Sequence, residues 1–513
     1  MTFRFSKKTF AYGMLSLCIS SVILQLLGFI YRIGISRLAG AEGMGVFQMV
    51  MPVYAILQAI TLSGLTMAVS RLTAGESARG NLRGVRDVMK TAVFLFICIF
   101  SAAAFVFIAL SDDIAHSILG DERTRKALLL LLPCLFLTGF ENLMKSCFLG
   151  VRRVLAPTVS EVSEMCVRTV AVMALLYFFK PEGAGESALF IVCGMVISEI
   201  SSILILSAFY GSFLKKAGGG PAQRSREIAL KIGKIAVPVI FGSLVNNLLS
   251  TANTVLIPWR LRAAGLNPST AMSAFGVMFG MTMPLLMLPG ALILPMTSLL
   301  IPWLSQEREL SNYGGVRRKA GKALHATSLI VLPVMAFMLV CGDDLARIIY
   351  KQDAAGEHIF LLAVATLLSF YQLVTGAVLN GLGKERLTAV SITVSGVIQL
   401  AFTWFAVADP RFGILGYVYG DIASAAVGML MNFWWAAKYA RLRVRVYNWF
   451  VMPALSSAVC ALMARYTLLR AGGGDGANLG QIGSAALAGG ACYLFLLWMQ
   501  GMRFQMKSQK QRA

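Results

Sequence analysis

TAVFLFICIFSAAAFVFIAL, residues 91–110, is twenty residues long and carries no charge. An α-helix rises about 1.5 Å per residue, so this stretch crosses the roughly 30 Å hydrocarbon core of a bilayer. Its flanks differ in sign. Arg71, Arg79, Arg83, Arg86 and Lys90 precede it, and acids such as Asp112, Asp113, Asp121 and Glu122 follow. Cytoplasmic loops collect lysine and arginine, so the segment reads as a transmembrane helix whose basic end is cytoplasmic.

The same length criterion, applied outward, gives five more spans in the first part of the chain: 11–31, 45–69, 127–148, 155–179 and 187–210. After a basic, glycine-rich linker come 235–257, 274–301, 323–341, 359–380, 387–407 and 414–437, and then 449–469 and 482–499. Alternation places three further basic loops on the cytoplasmic side: Lys215 to Lys234, Arg317 to Lys322, and Lys438 to Arg445. Both termini are then cytoplasmic, which requires an even number of helices, and fourteen satisfies it. Residues 1–8 are basic, as in a signal peptide, but the run 11–31 is too long for its apolar core and reads as a retained first helix.

Composition agrees. Only 14% of the residues are charged and 57% are hydrophobic, whereas a soluble chain carries about a quarter charged residues. The formal charge of +22 sits in short clusters between apolar runs, so no folded domain remains for nucleic acid, and membrane orientation accounts for the charge. The nine cysteines fall in apolar runs without a CxxC, and the three histidines are far apart. No disulfide framework, metal site or cofactor is expected.

An internal repeat divides the chain. SDDIAHSIL at 111–119 resembles GDDLARIIY at 342–350, and GVRRVLAPTVS at 150–160 resembles GKERLTAVSIT at 383–393 with nearly the same offset. Pro52 in VMP and Pro284 in TMP correspond likewise. Six helices per unit make both halves enter from one side, so the repeat is parallel and a site is expected between the lobes. The expected fold is an all-α membrane protein of about fourteen transmembrane helices. Its parts are a six-helix lobe over 1–210, a cytoplasmic linker over 211–234, a six-helix lobe over 235–437, and 438–513 with two extra helices and a basic cytoplasmic tail.

Enzyme signatures are absent. There is no GxxxxGK[ST], HExxH or GxSxG, so the chain reads as a non-enzyme, and any transport must draw on an ion gradient, the membrane potential or the substrate's own gradient. Charge within the apolar runs is the informative feature, because each ion there costs several kcal/mol unless paired or wet. Glu141 and Lys145 are one helical turn apart, as are Glu164 and Arg168, with Glu161 on the same face and Glu199 further on. Two readings stand: neutralised pairs that hold helices together, or the wall of a polar cavity for a charged headgroup. Arg32 and Arg37 lie just beyond the first span, where lipid phosphate is an alternative partner. Asn246, Asn253 and Arg260 share one helical stripe, and Gln372, Asn380, Gln399 and Asp421 add polar groups later. Pro284, Pro289 and Pro295 in the span 274–301 mark either a hinge or a static kink.

GFIYRIGISRLAGAEGMGVFQMVMP resembles the start of the polysaccharide-transporter branch of the MATE/MOP superfamily. GSLVNNLLSTANTVLIPWRLRAAGL, MTMPLLMLPGALILPMTSLLIPWLSQ and PRFGILGYVYG resemble its stage V sporulation protein B group. The resemblance implies a two-lobed exporter of MurJ-like type that moves an undecaprenyl-diphosphate-linked oligosaccharide, a peptidoglycan precursor in sporulation relatives, across the cytoplasmic membrane by alternating access. It also implies a headgroup cavity and a groove for the lipid tail formed by the last two helices. Arg32 and Arg260 fall at basic positions of the family. Gln25 stands where relatives carry an arginine, and Asn253 where they carry an acid. The cavity candidates are therefore Gln25, Arg32, Glu164, Arg168, Asn253, Arg260 and Asp421, with Arg32, Arg168 and Arg260 as headgroup contacts. Expected partners are the polyprenyl-diphosphate-linked glycan, membrane lipid and cell-wall synthesis proteins. Two alternatives are a MATE-type multidrug or cation antiporter, disfavoured by the two extra helices, and a non-transporting scaffold for cell-wall synthesis.

Overall fold

The computed structural model describes residues 7–151, 153–215, 224–443, 445–470 and 478–499. Positions 1–6 of the basic N-terminal segment, 216–223 of the linker and 500–513 of the basic tail lie outside the described residues. Among those described, 13 helical stretches are long and apolar enough to cross a membrane. The first, Ser21–Ala78, is 58 residues long, about twice what one crossing needs. It is broken at Gly40, whose φ of 71° and ψ of 177° only glycine adopts without strain. Counted on either side of that break, the spans number fourteen. Arg32 and Arg37, expected beyond the first helix, lie inside it, because the helix runs on to Gly40.

In chain order the helices are α1 (Lys7–Gln58), α2 (Gly64–Ala78), α3 (Leu82–Asp113), α4 (Arg125–Gly150), α5 (Leu155–Phe179), α6 (Ala184–Lys215), α7 (Ser225–Ala263) and α8 (Pro268–Gly276). There follow α9 (Met283–Leu286), α10 (Gly290–Glu309), α11 (Tyr313–Tyr350), α12 (Ile359–Gly381), α13 (Glu385–Phe405), α14 (Ile414–Tyr439), α15 (Met452–Arg470) and α16 (Leu479–Met499). The single span expected over 274–301 is in fact α8, a π-helical turn (Val277–Thr282), α9 and α10. Pro284 and Pro289 lack the amide protons that would carry the ladder through, so the helix restarts with Pro289 as the residue before α10. Large apolar side chains such as Phe94, Phe105, Phe241 and Leu487 are exposed, as a surface facing lipid requires.

The chain divides into two compact units, Met1–Pro284 with Gln399–Tyr417, and Leu285–Ile398 with Val418–Ala513. The first unit reaches beyond residue 210 because glycines let α7 and α8 press on α1 and α2. A Cβ added to Gly64 would lie 2.5 Å from the Ala236 carbonyl oxygen. One added to Gly276 would strike the Ala41 carbonyl and the Gly45 backbone. Small residues at helix crossings are the usual means of close packing in lipid, where burial from water supplies no drive. In the second unit, α15 and α16 pack together and onto α11, with Cys341 buried against Ala464, Leu468, Ile482 and Ala485.

Candidate functional site

Charge is concentrated on three helices of the first unit. Helix α4 supplies Glu141 and Lys145, α5 supplies Glu161, Glu164 and Arg168, and α6 supplies Ser198, Glu199 and Ser202. The one-turn spacings put the charges of each helix on one face, and the packing of α5 and α4 on α6 brings those faces together. Lys145 Nζ lies 2.6 Å from Glu141, 3.3 Å from Glu164 and 3.7 Å from Glu161. The Arg168 guanidinium pairs with Glu164 one turn away and with Glu199 at 3.3 Å, and its Nε donates to Ser198 Oγ at 3.1 Å. Ser202 Oγ donates to Glu141 at 2.5 Å.

Glu141 and Glu199 are 2% and 3% exposed. Lone carboxylates at such depth would be prohibitive; Glu141 is held by Lys145 one turn along its own helix, and Glu199 by Arg168 from the neighbouring α5. Three acids, two of them buried and Glu164 half-buried, nevertheless face two cations, and Oε2 of Glu199 has no hydrogen-bond partner. One oxygen from each of Glu141, Glu164 and Glu199 lies within 4.8 Å of the others, a spacing that could hold a cation. The cationic groups found beside these carboxylates are the Lys145 ammonium and the Arg168 guanidinium.

The structure brings Glu164 and Arg168 into this cluster, along with Lys145, Glu141 and Glu199, which sequence reasoning noted but did not place at the site. Tyr31 on α1 lies in the electrostatic field of Arg168 and Arg32, and its buried hydroxyl has no hydrogen-bond partner. Arg32 is exposed and Gln25 half-buried on the same helix. Asn253 and Arg260 are placed differently, on α7 against residues 399–417. Thr403 Oγ1 lies 3.4 Å from Asn253 Oδ1. The Arg260 guanidinium stacks on the Trp404 ring, 4.5 Å from its centroid, and its Nε donates to the Trp404 carbonyl at 2.8 Å.

Near the same end of α7, Arg262 donates to the Gly120 carbonyl at 2.6 Å. Next to Gly120, Arg123 bridges Asp121 at 2.7 Å and Glu42 at 2.6 Å. Burial pushes the Asp121 carboxyl up, but the Arg123 hydrogen bonds and charge outweigh it and hold Asp121 below the usual carboxylate range.

Asp421 belongs to the second unit, half-buried on α14. That unit also contains a cavity of 390 Å³ whose described lining carries no charge and includes Thr297, Gln372, Asn380, Thr388 and Asn432. Gln372 Nε2 donates to Ser395 Oγ at 3.2 Å and Asn432 Nδ2 to the Gln372 carbonyl at 3.1 Å. Oδ1 of both Asn380 and Asn432 is buried without a partner. Asn432 gave no signal in the sequence, because a single amide in an apolar run resembles any helix-packing residue.

The family model described as "Polysaccharide biosynthesis protein" matches residues 10–307. Stage V sporulation protein B of Bacillus subtilis (strain 168) is 22% identical over 500 residues, 96% of this chain and 95% of that protein. Among solved structures, the lipid II flippase MurJ in an inward closed conformation superposes with a TM-score of 0.70 at 12% identity, over 94% of this chain and 98% of that one. An inward-facing multidrug resistance MATE family transporter of the MOP superfamily gives a TM-score of 0.65 at 16% identity, over 83% of this chain and all of that one. The fold is that of the MATE/MOP superfamily, a multi-pass membrane architecture. The chain belongs to the polysaccharide biosynthesis protein family.

Proposed function

We propose that this protein is a flippase for an undecaprenyl-diphosphate-linked oligosaccharide, in the simplest case a peptidoglycan precursor. It would carry the headgroup from the cytoplasmic to the outer leaflet of the cytoplasmic membrane by alternating access, with both of its termini in the cytoplasm. A diphosphate–sugar headgroup cannot cross about 30 Å of hydrocarbon bare, so its carrier needs polar, cationic side chains within the membrane and a place in lipid for the polyprenyl tail. In this reading Arg32, Arg168 and Arg260 meet the headgroup, Gln25, Glu164, Asn253 and Asp421 line its path, and α15 with α16 guides the tail.

The observation that carries the reading is the extent of the likeness. The MATE multidrug structure corresponds to 83% of the chain, and the flippase structure to 94%. A drug antiporter has no need of additional helices for a lipid tail. The kinship with stage V sporulation protein B over nearly the whole of both chains points the same way.

The test is a proteoliposome or spheroplast assay that follows surface exposure of labelled lipid II with and without the protein. Protein-dependent exposure supports the proposal. Unchanged exposure with lipid II and with other polyprenyl-diphosphate glycans rejects it.

A further inference from the structure

The second unit has a concavity of 440 Å³ where α11 begins and the chain enters α15. Five cations line it. Arg317, Arg318 and Lys322 come from the first turns of α11, and Arg443 and Arg445 from the segment before α15. No carboxylate is among the described lining residues.

Interfacial cations usually settle beside acids or spread out, and the neighbouring Lys319 does so. Its Nζ lies 2.8 Å from Glu307, which also accepts from Asn312 at 2.6 Å. The field of Arg318 reaches Glu307 as well, but that carboxylate is already engaged. None of the five lining cations makes an ion pair among the described residues. Crowding like charges into one concavity at the edge of a low-dielectric slab raises the local potential and is unfavourable unless an anion enters it.

The pocket is also built, rather than a chance gathering of long side chains. Gly321 faces Trp449, and a Cβ there would lie 2.7 Å from the indole. The missing side chain lets the ring rest on α11 and ties the two cationic segments together. Further along α11, His325 lines the pocket with a buried Nδ1 that has no hydrogen-bond partner.

Its depth is marked by aromatic–cation pairs in the same unit. Arg441 lies over Tyr313 at 4.7 Å, Lys384 over Tyr439 at 4.8 Å and Lys438 over Trp434 at 5.5 Å. Aromatic belts of this kind sit at headgroup level, where basic pockets between helices accept phosphate headgroups.

We propose that this basic concavity binds a phosphate-bearing ligand, either the headgroup of an anionic phospholipid or a soluble phosphate compound. The site goes beyond the flippase reading and does not depend on it.

The experiment uses the full chain in nanodiscs and two probes, phosphatidylglycerol against phosphatidylcholine, and inorganic pyrophosphate. Retention of phosphatidylglycerol is read by native mass spectrometry. The pocket variant Arg318→Gln/Arg443→Gln/Arg445→Gln is expected to lose at least about tenfold in retention relative to the wild type. The matched variant Arg79→Gln/Arg83→Gln/Arg86→Gln, which removes the same charge from another loop, retains it. An Arg→Lys version of the pocket variant guards against misfolding and keeps most of the binding. Displacement by pyrophosphate assigns the site to free phosphate compounds, and resistance to displacement assigns it to lipid. Equal losses in the pocket and control variants, or equal retention of the two lipids with no pyrophosphate binding, overturn the proposal.

Discussion

Glu199 accepts a hydrogen bond from Arg168 through Oε1 at 3.3 Å, while its Oε2 is buried without a partner. The pair joins α5 to α6, and Arg168 also holds Glu164. Removing the guanidinium would leave two buried carboxylates short of charge, whereas removing the charge of Glu199 would leave the cation its second partner. Breaking a buried pair by deleting one member costs about 3–5 kcal/mol. Arg168→Met should therefore lower the unfolding temperature in detergent sharply, Glu199→Gln should lower it little, and the double variant should recover part of the loss. Additive effects would mean that the two side chains do not act as a pair.

The same arginine carries the transport proposal. Arg168→Glu reverses the one guanidinium in the cluster, so lipid II exposure should fall to background even where the variant reaches the membrane in normal amount. A scaffold that only recruits cell-wall enzymes would be indifferent to the reversal. Full rescue of a deletion strain by Arg168→Glu would remove this residue from the headgroup path.

Arg260 is occupied in a different way. Its guanidinium lies on Trp404 and its Nε is bonded to the Trp404 carbonyl, so a substrate anion would have to compete with the ring. A cation–π contact contributes roughly 0.5–2 kcal/mol, from exposed to desolvated sites. A double-mutant cycle of Arg260→Gln and Trp404→Leu should give a coupling of about that size in thermal unfolding. A coupling of zero would show that the stacking contributes nothing to stability.

Asp121 sets an acid limit. Its carboxyl is held below the ordinary range because the bonds from Arg123 outweigh the effect of burial. A depressed folded value adds stability at pH above the unfolded value near 4, and that stability is lost as pH falls through the folded value. Protection of the amides over residues 119–125, measured against the intrinsic exchange rate at each pH, should therefore fall as the pH drops from 5 to 3. Asp121→Asn should show the lower protection at both. Wild-type protection with no acid step would contradict the assignment.

The helices were legible because their signal is local. Twenty apolar residues and a basic flank are enough to mark a span, and the spans around residues 91–110 and 359–380 lie close to α3 and α12. The spacing of Glu164 and Arg168 showed which charges share a helix face. What crosses between helices was not legible. Glu199 reaches Arg168 from 31 positions away, and Trp404 reaches Arg260 from 144. The break before α10 was half visible, since Pro289 was marked as a kink but not as a restart. Gly276 looked like one of 48 glycines, although its missing side chain lets α8 lie on α1.

The last two helices decide between the flippase and antiporter readings. Buried Cys341 of α11 packs on Ala464, Leu468, Ile482 and Ala485, and Arg465 pairs with Asp344 at 2.9 Å. In water, stripping α15 and α16 away would expose an apolar face. In a bilayer the uncovered face of α11 meets lipid tails, so the loss is mainly one of packing. A chain ending after Tyr439 should insert and keep its helical content with a lowered unfolding temperature. It should fail to expose lipid II, because the tail has lost its guide. Full lipid II exposure by the shortened chain would detach α15 and α16 from the transport reaction and remove the tail-guide role assigned to them.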